Sequence, residues 1–231
     1  MSKSSAVQLP HFIGDIPDVG LEDRINDSDG LLTFACPDEE ALLKAARGVG
    51  EVMIHPHGDA RGVTPIRLTE GRVDVGLTTG DLLAHTDRPA TKVPPRYLFL
   101  WCKQASDQGG ETVLYRGRDV VRHLAEHDPA ALRAVTSSQA AIFRTGTDEH
   151  VGPIIQIEDG EVVGLRLRFD HLVYFSWDVT RTMPAFQAAL RSVERRFALQ
   201  AGQGYLLDNR IWFHSRTAYT GDREMSRIMV A

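Results

Sequence analysis

Ala84-His85-Thr86-Asp87, taken with the distant stretch Leu206-Leu207-Asp208-Asn209-Arg210-Ile211-Trp212-Phe213-His214-Ser215-Arg216, decides the fold of this chain. On a strand, side chains alternate, so a histidine and a carboxylate two residues apart share a face. One more imidazole, His214, delivered by a distant strand, completes two histidines and one carboxylate on one side of a metal. That ligand set leaves coordination positions open and suits non-haem Fe(II) and O₂ chemistry. The two segments must therefore meet as strands at one mouth, which requires a β architecture.

The rest of the chain agrees with that requirement. With 231 residues, 42% of them hydrophobic, the sequence is long enough for one substantial core. One domain over residues 1–231 is expected, with residues 1–30 as a turn-rich, irregular arm. Twenty glycines and eleven prolines are scattered rather than clustered, which means many turns and few long helices. Extended runs are expected at 51–55, 63–68, 72–76, 96–102, 112–115, 140–144, 154–157, 162–169, 172–177, 204–207, 215–219 and 225–230. Helices are expected from Pro37 to about residue 46, over 119–127 and 129–135, and over 184–199. In the last of these Phe186, Leu190, Val193 and Phe197 form an apolar stripe. Many short strands with a few helices against them predict a mainly β fold with flanking helices, a double-stranded β-helix or jelly roll.

Charge and cysteine usage exclude several classes. A net charge of −5 and a pI near 6.0 argue against nucleic acid or an anionic membrane as partner. Two cysteines, Cys36 and Cys102, fit a reducing compartment rather than a disulfide framework. No apolar run approaches the roughly 20 residues that span a bilayer, and the first residues lack a signal peptide's apolar centre. A cytoplasmic protein is expected.

Two other histidine groups compete for a metal. His55-Pro56-His57 is an HxH pair, but Asp59, Ala60 and Arg61 follow where a glutamate is wanted, and Pro56 disturbs a strand. His123-Leu124-Ala125-Glu126-His127 matches the HxxEH of inverted zinc peptidases. Asp128-Pro129 ends the helix at that point, and a histidine near the negative helix pole explains the pair equally well.

Four elements occur in order between residues 63 and 231. These are His85-x-Asp87, then Gly109-Gly110-Glu111-Thr112, then Asp208-Asn209-Arg210 four residues before His214, and finally Arg223 and Arg227. Together they resemble the taurine dioxygenase and clavaminate synthase-like family of Fe(II)/2-oxoglutarate oxygenases. The resemblance implies His85, Asp87 and His214 as iron ligands and catalytic residues. It implies Fe(II) as cofactor, with 2-oxoglutarate as co-substrate and O₂ as oxidant. Arg223 would hold the distal carboxylate of 2-oxoglutarate, with Thr112 bonding the same group, because a guanidinium fork meets a carboxylate through two parallel bonds. Arg227, on the same strand face, would contact the substrate or line the oxoglutarate pocket, or else form a surface ion pair. Arg223 lies nine residues beyond His214, a little short for the family, so either arginine can be the anchor. An aspartate at position 87, rather than glycine or alanine, implies hydroxylation, desaturation or ring formation rather than halogenation.

The partner implied is a small polar substrate, such as an amino acid or a specialised-metabolite intermediate. Oligomeric state stays open. Residues 77–84 and Arg168 are places to look for substrate contacts, and residues 144–153, with His150, for a lid. Two alternatives stand beside the oxygenase: a metal-containing jelly-roll binding or sensor protein without turnover, and a zinc hydrolase built on His123 and His127.

Overall fold

The computed structural model describes residues 9–68 and 78–231. The chain begins with β1 (Phe12–Asp15), α1 (Leu21–Asp27), β2 (Leu31–Ala35), α2 (Glu39–Val49), β3 (Val52–Met53), β4 (Val63–Arg67) and β5 (Leu82–His85). Next come β6 (Tyr97–Gln104), β7 (Gln108–Gly109), β8 (Thr112–Arg116), α3 (Gly117–His127) and α4 (Pro129–Thr136). The excursion β9 (Ala141–Thr145), β10 (Asp148–Gly152), β11 (Ile155–Glu158), β12 (Glu161–Leu165) and β13 (Val173–Phe175) precedes the long helix α5 (Trp177–Ser192). The remainder is β14 (Arg195–Phe197), β15 (Gln203–Asp208), β16 (Trp212–Arg216), β17 (Tyr219–Thr220) and β18 (Glu224–Val230).

Two sheets face each other as the walls of a jelly roll. The larger runs β1-β2-β15-β6-β18-β3, with β4 also pairing β18, and the smaller runs β14-β8-β16-β5. Leu98, Tyr205, Leu207, Met225 and Met229 of the large sheet meet Leu114, Phe197 and Trp212 of the small one between the walls. Outside the large sheet, Leu21, Ile25, Leu42 and Leu43 of α1 and α2 cover Phe34, Phe99 and Leu206. Outside the small sheet, α3, α4 and α5 pack Val120, Leu124, Val135, Phe186 and Leu190 onto Val113, Tyr115 and Phe213. Each such side chain, once buried, contributes roughly 1.5–3 kcal/mol. Alternation on β16 sorts its residues: Trp212 and His214 face the inter-sheet space, while Phe213 packs edge-on against Phe186, ring centres 6.2 Å apart. Both aromatics before His214 are thus core residues, in different layers.

Three local expectations change. Residues 12–27, expected to be irregular, carry β1, parallel to β2, and α1, whose Leu21 and Ile25 are buried. The long helix starts seven residues earlier than Pro184: Ser176 caps it by accepting from Val179 N at 3.3 Å, and Pro184 sits inside. It also ends earlier, and Phe197 reaches the core from β14, opposite Thr112 of β8. At α2, Asp38 accepts from Ala41 N at 2.8 Å, so Pro37 lies just outside the helix. The run expected at 72–76 lies outside the described residues.

Candidate metal centre and the cavity beside it

Among the described residues β5 lies at the edge of the small sheet and pairs with β16 alone, in a register that sets His85 directly opposite His214. The imidazole centres are 4.1 Å apart. Asp87 follows one turn of chain later, and one potential ligand atom from each of His85, Asp87 and His214 lies within 4.8 Å of the others.

The backbone around Asp87 is held from both sides. Thr86 N donates to Leu167 O at 2.9 Å, and Leu167 N donates back to Thr86 Oγ1 at 3.1 Å. On the other flank the buried Asn209 amide clasps Asp87: its Oδ1 accepts from Asp87 N at 2.9 Å, and its Nδ2 donates to Asp87 O at 3.2 Å and Pro95 O at 3.0 Å. Arg166 ties down the following loop by donating to the carbonyls of Pro89, Thr91 and Lys92.

The free valences of the three side chains fit a divalent cation. His85 Nδ1 lies 2.9 Å from Leu83 O, so Nδ1 carries the proton and Nε2 the lone pair. Asp87 Oδ1 accepts from Arg227 Nη1 at 2.7 Å, whereas Asp87 Oδ2 and His214 Nδ1 are buried with no hydrogen-bond partner among the described residues. Buried polar atoms are normally satisfied, and unsatisfied ones mark an absent ion or water. Burial pushes both imidazoles down, His214 to about 3, so both are neutral. Burial alone would push the Asp87 carboxyl up, but the charge of Arg227 holds it below the usual range. Neutral imidazoles and an ionised carboxylate are the forms that bind metal.

A cavity of about 230 Å³ is lined by Thr112, Cys102, Gly109, Gly110, Arg223 and Met225, among others but by none of the three candidate ligands; the buried Tyr205 lies near enough to both Asp87 and Arg223 to feel their charges. Arg223 is 8% exposed and stacks near the Tyr219 ring at 5.6 Å. Among the described residues no carboxylate pairs with it, and burial lowers its pKa. The glycine turn is shaped by this neighbour. Gly109 and Gly110 both have φ of +70°, and a Cβ on Gly110 would lie 3.2 Å from Arg223 Cδ and Nε. Arg216, two beyond His214 and so on the same face, donates to Thr78 O at 2.9 Å and to Gly80 O, binding the approach to β5. The spacing of Asn209 and Arg216 from His214 is visible in the sequence; their partners are not.

The structure brings His85, Asp87 and His214 together and separates the two arginines: Arg223 faces the cavity with Thr112, while Arg227 forms a partly buried ion pair with Asp87 rather than a surface one. His55 and His57 form a turn, with His57 N donating to His55 Nδ1 at 3.0 Å. Burial, then the nearby Arg227, lowers His55 to about 4, so it borders the site without joining it. Arg168 is occupied by Asp170, Arg144 O and Thr145 Oγ1 and locks a turn. Residues 144–153 fold mainly as the β9–β10 hairpin, whose Asp148 lies 3.7 Å from Arg88.

Comparison with known proteins places this geometry among relatives. Residues 27–229 match the family described as taurine catabolism dioxygenase TauD, TfdA family. Gamma-butyrobetaine dioxygenase of Homo sapiens is 30% identical over 173 residues, covering 67% of this chain and 44% of that protein. The enzyme of the same name from Pseudomonas sp. (strain AK-1) is 32% identical over 164 residues, covering 63% of this chain and 42% of that protein. The chain thus spans less than half the length of these curated relatives. Asparagine oxygenase in complex with Fe(II), 2S,3S-3-hydroxyasparagine and succinate superimposes with a TM-score of 0.74, at 16% identity, covering 91% of this chain and 77% of that one. The non-heme iron oxygenase OrfP with Fe and alpha-ketoglutaric acid gives 0.71, also at 16% identity and with the same coverage. These two likenesses concern the fold. The family match, spanning most of the sequence, establishes that this chain belongs to the TauD/TfdA dioxygenase family.

Proposed function

We propose that the protein is an Fe(II)- and 2-oxoglutarate-dependent dioxygenase that hydroxylates a C–H bond of a small, polar, amino-acid-like substrate. The observation carrying this reading is the Asp87 Oδ2 that has no partner among the described residues, set against two neutral histidines, together with a cavity lined by a buried arginine that pairs with no described carboxylate. His85, Asp87 and His214 would hold the iron, which when bound supplies O₂ activation coupled to conversion of 2-oxoglutarate to succinate and CO₂. Arg223 and Thr112 bind the distal carboxylate of the oxo acid. A guanidinium already desolvated and lacking a counter-charge gains most from a carboxylate that brings one. Arg227 keeps Asp87 ionised and occupies Oδ1. Its own Nε is buried with no partner among the described residues, which leaves it a donor for an anionic group of the substrate. Asn209 and the Thr86–Leu167 pair hold the ligand-bearing backbone in place, so that geometry is set before the reactants arrive.

The substrate class is supported by the named relatives. Gamma-butyrobetaine dioxygenase and asparagine oxygenase are named for amino-acid or amino-acid-like compounds, and an OrfP structure holds (3S)-hydroxy-L-Arg. The two cysteines are free and buried, which supports a cytoplasmic setting. The test adds Fe(II) and 2-oxoglutarate anaerobically to the purified protein, then admits O₂ with candidate amino acids. A weak visible charge-transfer band, followed by succinate formation, is expected. Absence of both with fully metal-loaded protein overturns the reading.

A further inference from the structure

A second cavity, of about 140 Å³, lies between the β11–β12 hairpin and the turn joining β15 to β16. His150, Gln156, Gly164, Arg166, Asn209 and Arg210 are among the residues lining it, and His85, Asp87 and His214 are not. Its polar wall is basic: two guanidiniums and an imidazole contribute to it, and no aspartate or glutamate does. The neighbouring carboxylates are committed elsewhere. Asp208 accepts from Arg210 Nε at 3.2 Å and Nη2 at 2.9 Å, and Glu158 accepts from Gln156 Nε2 at 2.8 Å. Arg210 Nη1 is left without a hydrogen-bond partner among the described residues.

Arg166 has no such carboxylate among the described residues. Its Nη1 donates to Pro89 O at 2.5 Å and Thr91 O at 2.7 Å, and its Nη2 to Lys92 O at 3.2 Å. A guanidinium carries five N–H donors, so Nε–H and one Nη2–H remain to be satisfied. Burial lowers its pKa to about 10, the mark of a cation partly withdrawn from water with only carbonyl dipoles to compensate it. Burial, then the charge of Arg166, lowers His150 too, so that ring is neutral and carries one N–H.

A cavity walled by unsatisfied cationic donors and free of acids complements an oxyanion, because guanidiniums meet carboxylate or phosphate oxygens through charge-assisted bonds. We propose that this cavity binds a small oxyanion with at least two acceptor oxygens, held by Arg166 and Arg210 with His150 as a further donor. The site is separate from the His85–Asp87–His214 cluster and shares a wall with it through Asn209, the residue that clasps Asp87. It does not depend on the oxygenase reading.

Inorganic phosphate and succinate, titrated separately into the metal-free full-length chain in Tris chloride, probe the site by ¹H–¹⁵N NMR. Saturable shifts of the Gly164 and Arg210 amides and of the His150 ring are expected at millimolar concentrations. Either probe supports the site, and the tighter of the two tells a tetrahedral oxyanion from a planar one. Arg166→Gln and Arg210→Gln should each weaken binding roughly 10- to 100-fold. The Arg210 side chain is partly exposed, so its variant keeps the test alive if Arg166→Gln loosens the loop it ties down. Arg223→Ala should leave these shifts in place, which separates this cavity from the one beside Thr112. No saturable shift with either probe, or unchanged affinity in both Arg210→Gln and His150→Leu, overturns the site.

Discussion

Two arginines, Arg223 just before β18 and Arg227 at its centre, carry the same side chain in opposite circumstances. Arg227 is half-buried against a carboxylate supplied by the protein, 2.7 Å from Asp87 Oδ1. Arg223, four residues earlier, is the more deeply buried and meets a cavity, a glycine turn and the ring of Tyr219. A buried cation is tolerated only when something compensates it. At Arg227 that partner is internal, and the ion pair is structural before any ligand binds. At Arg223 it must come from outside. The lesson is that charge type and strand position do not distinguish an anchor from a strut; the presence of an internal counter-charge does.

The largest expected effect removes the corner to which Arg227 belongs. His85→Ala, Asp87→Ala and His214→Ala should each abolish iron-dependent 2-oxoglutarate consumption, measured as succinate release. His123→Ala and His127→Ala should leave it nearly intact. If the helix pair proved essential and the cluster dispensable, the comparison would have been drawn around the wrong site.

Next comes the external anchor. Truncating one partner of a buried, hydrogen-bonded charge pair costs roughly 2–5 kcal/mol. At about 1.4 kcal/mol per decade, Arg223→Ala should raise the 2-oxoglutarate requirement on the order of 30- to 4,000-fold while iron still binds. Titration of the oxo acid against the charge-transfer band measures it, and a loss confined to Arg227→Ala would exchange the two roles.

A smaller effect is expected at the clasp on Asp87. Asn209→Ala removes three hydrogen bonds without touching a ligand atom. Outer-shell partners of metal ligands typically contribute 10- to 100-fold in affinity, and a loss of that size should appear in metal titration of the variant with its fold checked by circular dichroism. Unaltered metal affinity in a folded Asn209→Ala protein would make the clasp purely architectural.

The mildest effect on the oxo acid belongs to Arg227→Ala. It should change the 2-oxoglutarate requirement far less than Arg223→Ala, while lowering the ratio of hydroxylated product to succinate. Equal loss of both quantities would mean that the strut and the anchor are not distinct.

What the sequence disclosed follows the physics of locality. His85-x-Asp87, the glycine turn before Thr112, and the run from Asp208 to His214 are short motifs whose spacing survives in one dimension. Strand-rich patterning likewise pointed to the jelly roll. The pairing of Asp87 with Asn209, 122 residues apart, is set by how β5, β15 and β16 converge, and no local pattern encodes it. The same holds for Arg227, whose partner is chosen by sheet register. At α1, charged and turn-forming residues masked Leu21 and Ile25, because two buried positions in seven residues make a weak periodic signal. At α5 the apolar stripe from Phe186 onward did not mark the start: the Ser176 cap sets it, and Pro184 is accommodated within the helix.

The opposed register of His85 and His214 also bears on biosynthesis. A ribosome making roughly 5–20 residues per second takes about 7 to 28 s to add the 140 residues that separate Arg227 from Asp87. For most of that interval the nascent chain carries His85 and Asp87 with neither the opposing imidazole nor the arginine. Metal insertion is therefore a late event, coupled to closure of the two sheets rather than to emergence of the first ligands.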